Sequence, residues 1–414
     1  MKIAVIGSGI SGMAAAYLLC EDHDVVVFEA NDYIGGHTHT VDVEENGQAC
    51  PVDTGFIVFN ETTYPHFLKL MKRLGVPWQP SRMSFSVTCE KTGLEYSPSS
   101  LNGLFAQRTN LLRPGFYRMI LEIFRFRLQS RALLEDENYD TGIGSYLESK
   151  GYSKRFIQHF IIPMGAAIWS SDPEQFHQFP ARYFVEFFRN HGFLNVFKQP
   201  QWLTITGGSR RYVSRLTKNY ADRIRLNCPV QSVTRLRKHV QVTPRDGEAE
   251  IFDRVIMAAH SDQSLVMLAD PSRQEVEILS AIPYQENLAI LHRDVSLLPS
   301  RKTCWSSWNY RIPREPMGRI ALTYDMNILQ SLPMREEVCV TLNVPHKVDP
   351  GKIIRQMIYH HPLYAPDGMR ARQRLNEING VNKTFFCGAY WGYGFHEDGV
   401  NSALEVCKHF GKTL

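Results

Sequence analysis

The stretch from Lys2 to Ala30, KIAVIGSGISGMAAAYLLCEDHDVVVFEA, decides the fold. Lys2 to Ile6 is short and rich in β-branched residues, as a buried parallel strand requires. The run Gly7-Ser8-Gly9-Ile10-Ser11-Gly12 comes next, and an Ala- and Leu-rich segment then reads as a helix. In such a unit Gly7 makes the tight turn, Gly9 lets the backbone approach a pyrophosphate, and Gly12 lets the helix pack closely on the strand. The first N–H groups of the helix and its dipole then favour an anion. Asp24 to Phe28 is the second strand, and Glu29 ends it seventeen residues past Gly12. A carboxylate there suits an adenosine ribose. The unit predicts an α/β fold with a Rossmann-type dinucleotide site, and leaves the choice of dinucleotide open.

Length and composition bound the rest. At 414 residues the chain is long enough for two or three domains, and a net charge of +4 is too small to argue for nucleic acid. The eight cysteines show no metal-type spacing, and the His37-x-His39 pair has no second ligand cluster, so no metal site is expected. The apolar run from Ile3 to Cys20 resembles a secretory segment, but its placed glycines and the returning strand argue for a βαβ unit instead. No stretch is apolar for long enough to span a membrane. The expected location is cytoplasmic, with peripheral membrane contact as a further option.

The residues after Glu29 select the cofactor. G-x-G-x-x-G with Glu29-Ala30 and then Gly35-Gly36 behind it resembles the flavin-containing amine oxidase and phytoene desaturase superfamily. The resemblance implies non-covalent FAD. It implies cofactor contacts from Gly7, Gly9, Ile10, Ser11, Gly12, Glu29, Ala30, Gly35, Gly36, His37 and Thr38. The usual residue at position 37 is Arg, so the phosphate contact there departs from the pattern. Asp53-Thr54-Gly55-Phe56 resembles the next flavin-side segment, and Val230 stands where the family contacts the adenine. The segment FFCGAYWGYGFHEDGVNSAL resembles the last one, implying contacts from Gly388, Glu397, Gly399 and Val400 and a helix aimed at the flavin. Thr206-Gly207-Gly208-Ser209 matches the central glycine segment. There is no second dinucleotide motif of the kind that binds NADPH in glutathione-reductase-type enzymes.

The resemblance implies a discontinuous FAD-binding domain (1–80, 200–275, 380–414). A substrate domain (81–199, 276–379) is expected as an antiparallel sheet capped by a helical part at about 100–195. MSFSV, ENLAILHRD, CWSSWNY, GRIALTYDM and EVCVTLNV read as its strands. Between Arg108 and Arg131 six arginines alternate with large apolar residues, and Glu122 is the one acid. A helix with solvated arginines is the simpler reading, and a membrane-surface element the alternative.

Segments 163–171, 307–310, 322–330 and 392–400 resemble a bacterial branch of FAD-dependent proteins associated with cyclopropane or methyl-modified fatty-acid synthesis. They also resemble the oxidase-like part of plant cyclopropane fatty-acid synthases. Asp325 departs from that pattern, where a bulkier residue such as Trp is expected. The resemblance implies hydride removal from a fatty-acyl substrate, with C–C desaturation, and a fatty-acid methyltransferase as a partner. The rival readings are an amine oxidase, weakened by the absence of lysine in YQENLAI, and a non-catalytic FAD scaffold. His396 and Tyr310 are the candidate catalytic residues, and His292 is expected to be structural.

Overall fold

Strands too short to be stable alone are joined here into a sheet drawn from distant parts of the chain. A computed structural model describes residues 1–135, 140–195 and 200–414. Its first sheet is parallel throughout, in the order Ile224–Arg225, Asp24–Phe28, Lys2–Ile6, Arg254–Met257, Thr384–Phe386. Ile3, Ala4, Val5, Val25, Val255 and Ile256 have no exposed surface, which explains why these strands read as unbroken apolar runs. A second link between the N-terminal piece and the piece after residue 200 is a small sheet in which Trp202–Ile205 lies between Phe59–Asn60 and Trp78–Ser81. Val230–Arg235, Val240–Pro244 and Glu250–Phe252 form the three-stranded antiparallel layer beside it.

All five strands expected in the substrate region fall in one seven-stranded sheet, joined by Leu94–Tyr96 and Ile353–Pro362. It is antiparallel except where Trp308–Ile312 runs parallel to Phe85–Cys89, so the sheet is mixed rather than purely antiparallel. Helices cover it, chiefly Pro114–Gln129, Ile143–Ser149, Ile162–Trp169 and Ala181–Asn190. Their common core is aromatic: Phe116, Phe126, Phe156, Phe176 and Phe184 are fully buried. Each such ring contributes about 1.5–3 kcal/mol by burial, which outweighs the modest helix propensity of Phe and Tyr.

The helix Ile10–Leu19 is buried on nearly every side, and Gly12 shows why. A Cβ at Gly12 would overlap the Gly7 carbonyl oxygen and press on the Ala258 side chain at 3.1 Å. The helix therefore packs directly on the backbone of the turn after Lys2–Ile6 and on the Ala258 side chain just past Arg254–Met257. Gly12→Val should cost about 1–3 kcal/mol or more by overpacking. A denaturant titration of the cofactor-free protein checks this, and an unchanged midpoint would show that the helix does not need this close approach.

Candidate functional site

Between the two sheets lies a cavity of about 1410 Å³. One end is built by the Gly7–Ser11 turn, the end of strand Asp24–Phe28, and Val230. The other end runs under the helical cap, where Phe126, Phe160, Met164, Phe187, Trp308 and Tyr324 make it apolar. Of the residues expected to hold the cofactor, Gly7, Gly9, Ile10, Ser11, Glu29, Ala30, Gly35, Gly36, His37, Thr54, Gly55, Phe56, Val230 and Gly388 line it, and so does His396.

The turn fits a dinucleotide phosphate. A Cβ on Gly9 would meet no atom within 4 Å, so the space it would fill is cavity. Gly9 is also the N-cap of Ile10–Leu19 and gives it no side-chain acceptor, leaving the first N–H groups of that helix available to an anion. Glu29 is already engaged. One carboxylate oxygen accepts the Ser8 N–H at 2.9 Å and the Ser8 hydroxyl at 2.5 Å; the other accepts the Asn31 N–H and side-chain amide, both at 2.9 Å. Four donors fill a carboxylate's lone pairs. Glu29 thus ties the phosphate turn to the second strand, and a ribose hydroxyl must displace one of these donors.

His37, at the position where the resemblance implies arginine, sits in unusual company. Its ring stacks on Tyr359 at 5.2 Å and lies 5.3 Å from His361 and 6.3 Å from His260. Burial, and then the charge of neighbouring histidines (His360 in the case of His37), push His37 down to about 4 and His260 and His361 to about 3. At neutral pH these three rings are uncharged. His260, His360 and His361 escape a reading of the sequence because His260, at the start of the helix Ser261–Met267, lies about a hundred positions from the strand Ile353–Pro362 that carries the other two. Among the described residues no group of side chains is arranged to hold a metal ion.

Several expected contacts turn out to have other partners. Tyr310 is buried behind the cavity, its ring 6.5 Å from Phe85, and does not line it; Trp308, two residues earlier on the same strand, does. Burial also raises the Tyr310 hydroxyl well above its ordinary value, which suits a packed phenol more than a proton carrier. Glu397 accepts the backbone N–H of His66 at 3.1 Å and of Phe67 at 2.8 Å, capping the helix Pro65–Leu74. A Cβ on Gly399 would lie 2.7 Å from Ile10 and 3.0 Å from Ser11, so this glycine serves the crossing of two helices. Val400 is in the core between them. Gly12, Thr38 and Asp53 also stand behind the cavity wall rather than on it.

His396 faces the cavity with its ring nitrogen engaged. The ring stacks on Phe56 with centroids 3.5 Å apart, and Nε2 lies 2.9 Å from the Thr38 hydroxyl and 3.0 Å from that of Tyr212. Burial holds its pKa well below the ordinary value, so the ring is neutral. His292 is buried on Thr341, at 2.7 Å, in keeping with a structural role. Asp325 is an N-cap, accepting the Ile328 N–H at 3.1 Å, and does not line the cavity.

Two variants separate cofactor contacts from scaffold. Gly9→Ala should leave the melting of the cofactor-free protein within about 0.5 kcal/mol of wild type and weaken FAD retention roughly tenfold or more. Glu397→Ala should destabilise the cofactor-free protein itself, by about 1–2 kcal/mol. Calorimetry and FAD titration on both variants read these outcomes, and the opposite pattern would reverse the two assignments.

Residues 10–291 match the family described as flavin containing amine oxidoreductase. The chain is 24% identical over 275 residues to the flavin-dependent L-tryptophan oxidase RebO of Lentzea aerocolonigenes, covering 59% of this chain and 54% of that protein. It spans about half the length, or less, of the curated relatives it matches. Its fold is similar to a CLA-producing fatty acid isomerase from P. acnes, with a TM-score of 0.66 and 16% identity over 99% of this chain and 98% of that one. It is also similar to cyclohexylamine oxidase from Brevibacterium oxydans IH-35A, with a TM-score of 0.68 and 16% identity over 99% of both chains.

Proposed function

The chain belongs to the flavin containing amine oxidoreductase family, its cofactor is FAD, and from that premise we propose that it oxidises a fatty-acyl substrate held in the apolar arm of the cavity. The observation that carries this reading is the arm itself, walled by Phe126, Phe160, Met164, Phe187 and Trp308, which suits a hydrocarbon chain. The bound flavin supplies a two-electron acceptor. The protein's part is to hold the dinucleotide at the Gly7–Ser11 turn, exclude water through the aromatic cap, and present the N-terminus of the helix His396–Lys408 to developing negative charge. The neutral His396, fixed by Thr38 and Tyr212, orients that helix start rather than carrying a proton. The likeness in fold to a fatty acid isomerase is in keeping with the reading.

Oxidation of an amine is the second reading, favoured by the likeness to a cyclohexylamine oxidase. No lysine is among the described residues lining the cavity. Anaerobic mixing of the FAD-loaded protein with unsaturated fatty acids, and separately with primary amines, decides between them. Acids should bleach the flavin absorption and amines should not. Bleaching by amines alone overturns the acyl reading, and a flavin that neither class reduces assigns the chain a binding role.

We also propose that the outer face of the helix Pro114–Gln129 rests on an anionic bilayer. Its inner face buries Phe116, Met119, Ile123 and Phe126, yet Tyr117, Leu121, Phe124 and Leu128 form a second stripe, with Leu121 and Leu128 about 70% exposed. An ordinary core helix has one apolar stripe. Arg108 and Arg113, just before the helix, flank this one and complement anionic headgroups. No helix among the described residues is long and apolar enough to cross a membrane, so the contact is peripheral. The protein should float with phosphatidylglycerol vesicles and not with phosphatidylcholine ones. Leu121→Glu with Leu128→Glu should abolish flotation without changing the melting temperature. Equal flotation of the variant would overturn this contact.

A further inference from the structure

Of the six arginines between Arg108 and Arg131, five have a hydrogen-bonding partner. Arg108 donates to Asn102 and to the Phe105 carbonyl, Arg113 to Asn110, Arg118 to Glu122, Arg125 to Gln129 and the Lys150 carbonyl, and Arg131 to the Leu194 carbonyl. Arg127 is the exception. Among the described residues its guanidinium makes no hydrogen bond or ion pair, and it lies over the Phe124 ring at 5.8 Å, a cation–π contact. It is half-buried and lines the apolar arm together with Ile123 and Phe126 of the same helix. Burial lowers its pKa, with no carboxylate acting on it, yet a guanidinium stays charged at neutral pH. The one acid on its helix, Glu122, is committed to Arg118 and to the backbone N–H and hydroxyl of Ser153.

A partly desolvated cation without a counter-ion is costly to keep unless something pairs with it. The acidic residues that line the cavity, Glu29, Asp262 and Glu286, belong to the Rossmann strand end, the helix Ser261–Met267 and the strand Tyr284–His292, so none is part of the helical cap. The other cation on the cavity, Arg245, stands at the nucleotide end, where its backbone N–H bonds Pro229 beside Val230.

We propose that Arg127 is a substrate-binding residue that receives the carboxylate of a free long-chain acid, with the hydrocarbon laid along the apolar arm. This rests on the acyl reading and sharpens it, because an ester or an amine of the same chain has no charge to offer the guanidinium, or the wrong one. The planar fork can donate two parallel hydrogen bonds to a carboxylate, which would orient the chain as well as hold it.

The test measures binding to the FAD-loaded protein by calorimetry, with oleic acid, oleyl alcohol, oleylamine and oleyl phosphate. Oleic acid should bind roughly tenfold or more tighter than the alcohol and amine, and Arg127→Gln should remove that preference while leaving alcohol binding unchanged. Arg127→Lys should keep part of it. Equal affinity for acid and alcohol in the wild type overturns the proposal, and this arm holds even if Arg127→Gln fails to fold. Preference for the phosphate over the acid overturns the carboxylate assignment. Arg127-dependent binding of oleic acid without flavin bleaching leaves the site standing and removes the oxidation reading. Bleaching by oleic acid with unchanged affinity in Arg127→Gln does the reverse.

Discussion

The carboxylate of Asp53 joins three separated parts of the chain at one buried point. It accepts the Thr40 hydroxyl at 2.6 Å, the Ser209 N–H and hydroxyl at 2.9 and 2.7 Å, and the Gln330 amide at 2.8 Å. The backbone N–H of Asp53 returns a bond to Gln330 at 2.8 Å. Burial raises its carboxyl to about 6, and the donors around it favour the ionised form at neutral pH. Each donor left orphaned by its loss would cost about 1–3 kcal/mol. The glycine segment at 206–209, the hairpin of Thr40 and Asp53, and the turn at Gln330 are held together by this one group, and the cavity wall is built directly on them.

The three residues after Asp53 depend on that fixed point. The Thr54 hydroxyl bonds Tyr359 at 2.8 Å and lies 3.0 Å from His39 Nδ1, Gly55 admits the His37 carbonyl where a Cβ would not fit, and Phe56 stacks on His396. Together they set the positions of the histidine cluster and of the start of the C-terminal helix. Glu397 adds a second fastening by capping Pro65–Leu74, and Gly399 lets the same helix meet Ile10 and Ser11. These fastenings are polar or steric, and apart from those between positions 37–40 and 53–55 they join residues far apart in sequence. Ordering such long loops has an entropic cost that the large aromatic and aliphatic cores offset.

The local part of this design is legible in the sequence, and the long-range part is not. Lys2 to Glu29 can be read because strand, turn, helix and strand all lie within thirty residues. Gly399 reads as a ligand contact because absence of a side chain signals close approach without saying to what; here the partner is another helix. Glu397 has the same ambiguity, since an acid beside a glycine-rich loop gives no sign that its oxygens serve amides at positions 66 and 67. Tyr310 and Trp308 share a strand face by the period of two, and only the depth of the cavity separates them. The second stripe on Pro114–Gln129 is present as interleaved arginines and apolar residues, but which apolar residues face out depends on where the sheet lies.

The electrostatics of the cavity depend on where its charges were left. Three histidines at the nucleotide end are crowded and buried enough to stay neutral, so attraction for a diphosphate there rests on the backbone N–H groups and helix dipole at Gly9–Ser11 rather than on a formal charge at position 37. Such attraction is short-ranged and directional. The half-buried cation in the apolar arm acts differently, because no hydrogen-bonding partner among the described residues answers it. With histidine at position 37, where the resemblance implies arginine, and Arg127 under the helical cap, the proposed acid site separates two tasks: geometry would hold the cofactor and charge would orient the acid. On the proposed reading, a chain bound with its anionic end at Arg127 and its tail along the aromatic wall would have one preferred direction past the flavin, and that direction would select which carbon is presented for oxidation.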